Sequence, residues 1–109
     1  MKPADFRAIA LSFPEASQST HMAHPDFRVG GKIFATLGYP DDEHGMVALP
    51  PEEQARLIQS QPKIFSRAKG AWGLRGSTCV RLDAVDRGTL QRAMTAAWSR
   101  IAPKRLISG

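Results

Sequence analysis

The chain has 109 residues, of which 42% are hydrophobic, and its formal net charge is +5. This length and apolar content predict one compact domain over residues 1–109 and exclude a disordered polycation. No apolar run approaches the roughly 20 residues needed to cross a bilayer. The single cysteine, Cys79, excludes an intrachain disulfide and favours a reducing compartment. We therefore expect a cytoplasmic domain with no membrane partner.

The charge is spread unevenly along the chain. Residues 1–54 carry four Lys/Arg against eight Asp/Glu, a net charge of −4, whereas residues 55–109 carry eleven against two, a net charge of +9. A half this basic favours a polyanionic partner, most often nucleic acid. A solvated basic surface without a partner is the alternative interpretation.

The first predicted element is an amphipathic helix. Its apolar residues Phe6, Ile9, Ala10 and Phe13 recur at the spacing of one helical face, and Pro14 ends it. No helix or strand is assigned to the polar residues 15–20 that follow.

A β-hairpin is predicted next. Residues 27–29 and 32–37 are separated by Gly30-Gly31, a two-residue spacing that suits a tight turn with positive φ. Strict alternation predicts that three apolar residues of the second strand share one face. They are Ile33, Ala35 and Leu37.

A third strand is predicted at residues 46–49, after a turn at residues 40–45. Residues 50–53, Pro-Pro-Glu-Glu, begin a second helix, because proline suits the first helical turn and carboxylates are favoured at the positive end of the helix dipole. Pro62 ends this helix.

Residues 63–76 are predicted to be irregular, and residues 78–82 to form a strand with Arg81 on the face opposite the core. The last helix begins at Asp86 as N-cap and ends before Pro103. Its apolar residues form one continuous stripe: Leu90, Met94, Ala97, Trp98 and Ile101. The element order α-β-β-β-α-β-α predicts an α+β fold in which helices flank an antiparallel sheet.

No residue cluster predicts catalysis or metal binding. His21 and His24 are too few for zinc, and residues three apart in an extended segment point to opposite faces. His44 lies in an acidic turn and is interpreted as a solvated loop side chain. Ser77 and Cys79 lack the sequence context of a nucleophile. We therefore expect no metal, no cofactor and no enzymatic activity.

The glycine-rich residues 70–77, GAWGLRGS, are the strongest candidate for a ligand-binding loop. Glycines let the backbone approach a ligand, Lys69 and Arg75 supply positive charge, and Trp72 offers a stacking surface. Such a loop suits a phosphate, or a flipped or single-stranded base. The alternative is a structural connection whose tryptophan closes one end of the core.

Eight basic residues on the hairpin, around the Trp72 loop, on the following strand and after the last helix are candidates for phosphate contacts. They are Arg28, Lys32, Arg67, Lys69, Arg75, Arg81, Lys104 and Arg105. A hairpin can act as a wing along a nucleic-acid backbone. The leading hypothesis is DNA binding, in preference to RNA. The alternative is a protein- or small-anion-binding module that uses the Trp72 loop.

Several of these segments together resemble the MmcQ/YjbR family of small bacterial proteins. The similar segments, in order along nearly the whole chain, are residues 27–35, 70–73, 79–82, 97–98 and 102–106. The resemblance implies a CyaY-like α+β fold with an antiparallel sheet, described as a double wing, and DNA binding. The commoner family pattern has histidine and asparagine before the tryptophan, whereas residues 65–72 here read FSRAKGAW.

Overall fold

A computed structural model describes residues 1–107 of the chain, so residues 108 and 109 of the predicted domain lie outside the description. The strands are β1 Ser17–His21, β2 His24–Val29, β3 Lys32–Leu37, β4 His44–Ala48, β5 Phe65–Arg67 and β6 Ser77–Arg81. The helices of this part of the chain are α1 Pro3–Leu11, α2 Pro51–Ser60, α3 Gly70–Leu74, α4 Arg87–Ile101 and α5 Lys104–Ile107. The strands form one antiparallel sheet of order β1-β2-β3-β4-β6-β5.

The predicted α+β fold is confirmed, and α4 shows why the sequence specified it well. The Asp86 side chain caps the helix by accepting the Thr89 backbone N–H at 2.7 Å. Four residues of the predicted stripe are buried and the fifth, Ile101, packs against the core with partial exposure. The four are Leu90, Met94, Ala97 and Trp98. Burying such a stripe against a sheet supplies most of the stability of a helix of this length.

Helices α1 and α4 cover one face of the sheet, which we call the core face. The Phe6 ring of α1 lies 6.1 Å from the ring of Phe27 in β2 and against the backbone of Gly45 in β4. Trp98 of α4 stacks on Phe13 with ring centroids 6.0 Å apart. A single aromatic and aliphatic core therefore joins both helices to the central strands.

The predicted alternation along β3 is wrong at Ile33 because the strand contains an irregularity. The register changes from Phe27 opposite Ala35 to Arg28 opposite Ile33, which leaves Phe34 as the extra residue. Phe34 is fully buried and its ring meets the Phe13 ring edge-on at 6.1 Å, so it lies on the core face. A β-bulge of this kind turns the residues before it onto the other face of the sheet.

Four short elements have no counterpart in the predicted order: β1, β5, α3 and α5. β1, sequence SQSTH, is an exposed edge strand whose polar residues give no alternation signal, and backbone pairing to β2 forms it. β5 and α3 interrupt residues 63–76, which were wrongly predicted to be irregular throughout. Among the described residues, none of the helices has the length and apolarity that a membrane span requires.

Candidate functional site

The sheet face opposite α1 and α4, here called the outer face, carries the side chains of the candidate site. Cross-strand partners lie side by side, so Asp26, Thr36, Met46 and Cys79 form one row across β2, β3, β4 and β6. The residues that alternate with this row along the strands, such as Phe27, lie on the core face and are buried under the helices. Asp26, Thr36 and Cys79 of this row are also buried, so a ligand can approach the outer face only where a cleft opens it.

Helix α3 is held at the edge of this face by a buried glutamine. Gln54 of α2 is 1% exposed, and its Nε2 donates to the Gly73 carbonyl at 3.0 Å and to the Ser77 carbonyl at 3.1 Å. A Cβ at Gly73 would lie 1.8 Å from the Ala68 carbonyl oxygen, so only glycine allows this close packing. These contacts fix the position of α3, and with it the backbone that carries Trp72.

Trp72 does not close the core, because its side chain is 67% exposed. The structural alternative for the glycine-rich loop is therefore wrong. Arg67, Lys69 and Arg75 are also exposed, and none forms an ion pair with a described residue. We call residues 67–75 the basic segment. It lies within residues 54–82, which carry six Lys/Arg and no Asp/Glu.

Three of the eight predicted basic residues are instead held by carboxylates of the same chain. Arg28 binds Asp26 with contacts of 2.8 and 3.1 Å. Arg81 binds Asp83, and Arg105 binds Glu15 through two contacts of 2.8 and 2.9 Å. These bonds raise the pKa of each guanidinium and lower the pKa values of the three carboxyl groups. Each pair has little net charge to offer a phosphate.

Lys32 and Lys104 form a second basic group, beside the β2–β3 turn. The β2–β3 hairpin lies against the end of α4, since a Cβ at Gly30 would be 2.9 Å from the Pro103 ring. Lys32 follows that turn and Lys104 follows Pro103, and both are exposed. The hairpin and the end of α4 therefore bring these two residues to the same end of the molecule.

A cleft with a volume of about 390 Å³ crosses the outer face from the β1–β2 turn to Trp72. Polar side chains at its edges come from four separate segments, and the lining between them is mainly apolar. The polar and aromatic lining residues are His21, His24, Thr36, Tyr39, Trp72 and Ser77. Sequence reasoning singled out only Trp72 as a ligand contact here, because the other residues come together only through strand register.

A buried carboxylate fixes one side of this cleft. Asp26 is fully buried and accepts hydrogen bonds from Arg28, while the His21 ring Nδ1 lies 2.7 Å from its second oxygen. The Arg28 guanidinium, and after it His21, hold the pKa of Asp26 below its ordinary value. The sequence predicts this strand over residues 27–29 only, so it indicated neither Asp26 as a strand residue nor its partner across the turn.

Other groups of chemical interest have structural partners. The His44 Nδ1 lies 2.7 Å from Asp41, beside a second, shallower depression of about 530 Å³ lined also by Arg81 and Asp83. Burial raises the pKa of the Cys79 thiol, which disfavours the nucleophilic thiolate. Within residues 1–107, no three His, Cys, Asp or Glu side chains are grouped in a way that could hold a metal ion.

A model of the YjbR family matches residues 11–100, which are most of the chain. The chain belongs to the YjbR family. No curated protein matches this YjbR sequence. Its fold is similar to the crystal structure of Deinococcus radiodurans protein DR2400, described as having a DUF419 domain, with a TM-score of 0.75 and 17% sequence identity. That similarity covers 89% of this YjbR chain and 75% of the other, and it concerns the fold alone.

The Asp26 network of this YjbR chain predicts a pH-dependent contribution to stability. Because Arg28 and His21 lower the pKa of Asp26 in the folded state, its contribution is complete above the unfolded value of about 3.9 and is lost as pH falls through the lower folded value. Asp26→Asn should therefore destabilise the protein at pH 7 and destabilise it less near pH 3. Urea unfolding of both proteins at the two pH values measures this, and an equal difference at both would contradict it.

Proposed function

We propose that this YjbR chain is a non-enzymatic DNA-binding domain that holds its partner mainly through phosphate contacts. The main observation that supports this proposal is the basic segment, residues 67–75. Its cations Arg67, Lys69 and Arg75 are exposed around Trp72, and no described carboxylate neutralises them. Unpaired cations release the counterions of a nucleic acid on binding, which supplies most of the non-specific affinity.

The eight basic residues contribute unequally in this proposal. Arg67, Lys69 and Arg75 make the main contacts, and Lys32 extends them along the hairpin end of the molecule, where Lys104 also lies. Arg28, Arg81 and Arg105 contribute least, because a phosphate must compete with a carboxylate already bound to each. DNA is favoured over RNA because a two-stranded hairpin such as β2–β3 fits the wide major groove of DNA but not the narrow major groove of an RNA duplex.

The proposal includes a cytoplasmic location. Its support is the single cysteine, Cys79, which is a free and buried thiol. Proteins that keep one unpaired thiol are typical of reducing compartments. The second candidate function, a module that binds a small anion or a protein, has one specific observation in its favour, which is the cleft beside Trp72.

The test compares two double variants that remove the same net charge. Lys69→Ala with Arg75→Ala removes two unpaired cations of the basic segment. Arg81→Ala with Arg105→Ala removes two cations that carboxylates already hold. In fluorescence anisotropy with a labelled duplex at low salt, the first pair should weaken binding about tenfold to a hundredfold. The second pair should weaken it far less.

Two results would contradict the proposed function. One is the absence of measurable binding to any DNA at low salt, where phosphate contacts are strongest. The other is an equal loss of affinity in both double variants, since that would mean that net charge alone and not the basic segment determines binding.

A further inference from the structure

Trp72 is an exposed aromatic residue on a fixed backbone. Its side chain is 67% exposed, although the neighbouring Gly73 is held by Gln54 and packed against Ala68. Two of the most exposed large apolar side chains of residues 1–107, Met22 and Trp72, both line the outer-face cleft. Exposed apolar side chains gathered at one cleft mark a place where a partner is bound.

The cleft combines an apolar interior with a few hydrogen-bonding groups. Ile33, Met46 and Ala48 lie along its length on β3 and β4. Thr36 of β3 also lines the cleft, although it is only 2% exposed as a whole. Ser77 and Tyr39 add further hydroxyl groups at the lining. This chemistry suits a flat ligand with apolar faces and polar edges.

His21 is a polar lining residue whose ring is oriented by a buried carboxylate. Its Nδ1 is bound to Asp26, a fully buried carboxylate that Arg28 also holds. Because Asp26 engages Nδ1, the Nε2 atom of the ring is the one available to a ligand. A ring oriented by a buried carboxylate loses little freedom when it binds, so His21 can recognise a ligand edge with defined geometry.

We propose that the outer-face cleft binds one unpaired nucleobase of a DNA strand, with Trp72 stacking on the base and His21 and Thr36 facing its edge. This proposal rests on the proposed function, because the same strand supplies the phosphates. The positive charges beside Trp72 complement the negative phosphates of a DNA strand, which favours a nucleobase of such a strand as the ligand. Lys69 and Arg75 lie three residues to either side of Trp72, so cations flank the stacking residue in the way that phosphates flank a base.

A consequence is a preference for single-stranded DNA over duplex. A base inside a duplex is stacked and paired, and bringing it into a cleft costs the energy of extracting it. A single strand offers its bases without that cost, and stacking on an aromatic side chain tolerates any base. Phosphate contacts alone would give no such dependence on the bases.

The experiment compares a single-stranded oligonucleotide with an abasic strand of the same length, which has every phosphate and no base. At equal salt the wild-type protein should bind the normal strand about 5- to 150-fold more tightly. Trp72→Ala should abolish this difference and leave the affinity for the abasic strand unchanged. Leu74→Ala is the matched control, because Leu74 is 70% exposed on the same helix but does not line the cleft. It should keep the difference.

The outcomes separate this inference from the proposed function. Equal binding of the normal and abasic strands by the wild-type protein would overturn the base site and leave phosphate binding in place. Loss of the difference in Leu74→Ala as well as in Trp72→Ala would also overturn it, because the cleft would then not be the cause. If neither strand binds at low salt while free nucleoside monophosphate quenches Trp72 fluorescence, the cleft is a small-ligand site and both proposals are wrong.

Discussion

Trp98→Ala should lower the free energy of unfolding by about 3–5 kcal/mol. The Trp98 ring is 7% exposed, stacks on Phe13, and its indole N–H donates to the Pro14 carbonyl at 3.2 Å. Truncation removes the buried ring, leaves a cavity between α4 and the end of α1, and leaves the Pro14 carbonyl without this donor. Urea unfolding at neutral pH, followed by circular dichroism, measures the loss.

The other tryptophan provides the control for this prediction. Trp72→Ala removes the same side chain from a position where it is mostly exposed, so the free energy of unfolding should change by no more than about 0.5 kcal/mol. If the two variants lost equal stability, or if Trp98→Ala cost less than about 1 kcal/mol, the packing of α4 on the sheet described here would be wrong.

Gly73→Ala should lower the free energy of unfolding by about 1–3 kcal/mol. The added methyl group would meet the Ala68 carbonyl oxygen at 1.8 Å. That backbone is fixed, because the Ala68 N–H donates to the Ser77 carbonyl at 3.0 Å. Helix α3 must therefore shift, the Gln54 hydrogen bond to Gly73 must lengthen, and DNA affinity should fall together with stability.

Gly88→Ala is a control with the same change in side chain. Gly88 lies in the first turn of α4, and a Cβ there would be 3.5 Å from its nearest neighbours, which is ordinary contact. Alanine at this helical position should be neutral or add about 0.4–1 kcal/mol of stability. Urea midpoints that fall equally in both variants would show that Gly73 is not specially constrained.

The elements with strong local sequence signals, such as hydrophobic periodicity, a helix cap or a turn glycine, were predictable from the sequence. The stripe of α4 and its Asp86 cap, and the Gly30-Gly31 hairpin with φ values of 59° and 79°, are local patterns that the structure confirms. Likewise, Pro51 is the first residue of α2, and Pro62 lies two residues after its last residue, Ser60. In each case, neighbouring residues are sufficient to specify the conformation.

The elements that were missed depend on contacts distant in sequence. β1 exists because it pairs with β2, and its own polar residues favour no strand. α3 contains two glycines, which disfavour a helix, and a hydrogen bond from Gln54, nineteen residues away, holds it in place. The bulge that turns Phe34 into the core is likewise a property of the pairing of β2 with β3.

The sequence indicated the positive charge of the candidate site but not which of its side chains form ion pairs or hydrogen bonds with each other. Charge counts predicted a basic half at residues 55–109, and the glycine-rich loop indicated Trp72; the basic segment of the proposal lies within that half. The bond between Glu15 and Arg105 joins residues 90 positions apart, so no sequence pattern indicated that Arg105 is neutralised. Likewise, His21 and Asp26 meet only because the turn between β1 and β2 places both on the outer face.

The most direct test of phosphate binding by the basic segment is the salt dependence of duplex affinity. The logarithm of the binding constant should fall linearly with the logarithm of salt concentration, with a slope of about −0.9 for each phosphate neutralised. Lys69→Ala with Arg75→Ala should make that slope shallower by about 1.8 if each residue neutralises one phosphate. The control Arg81→Ala with Arg105→Ala should leave it nearly unchanged. A slope near zero in the wild-type protein, or the same slope in all three proteins, would contradict the account.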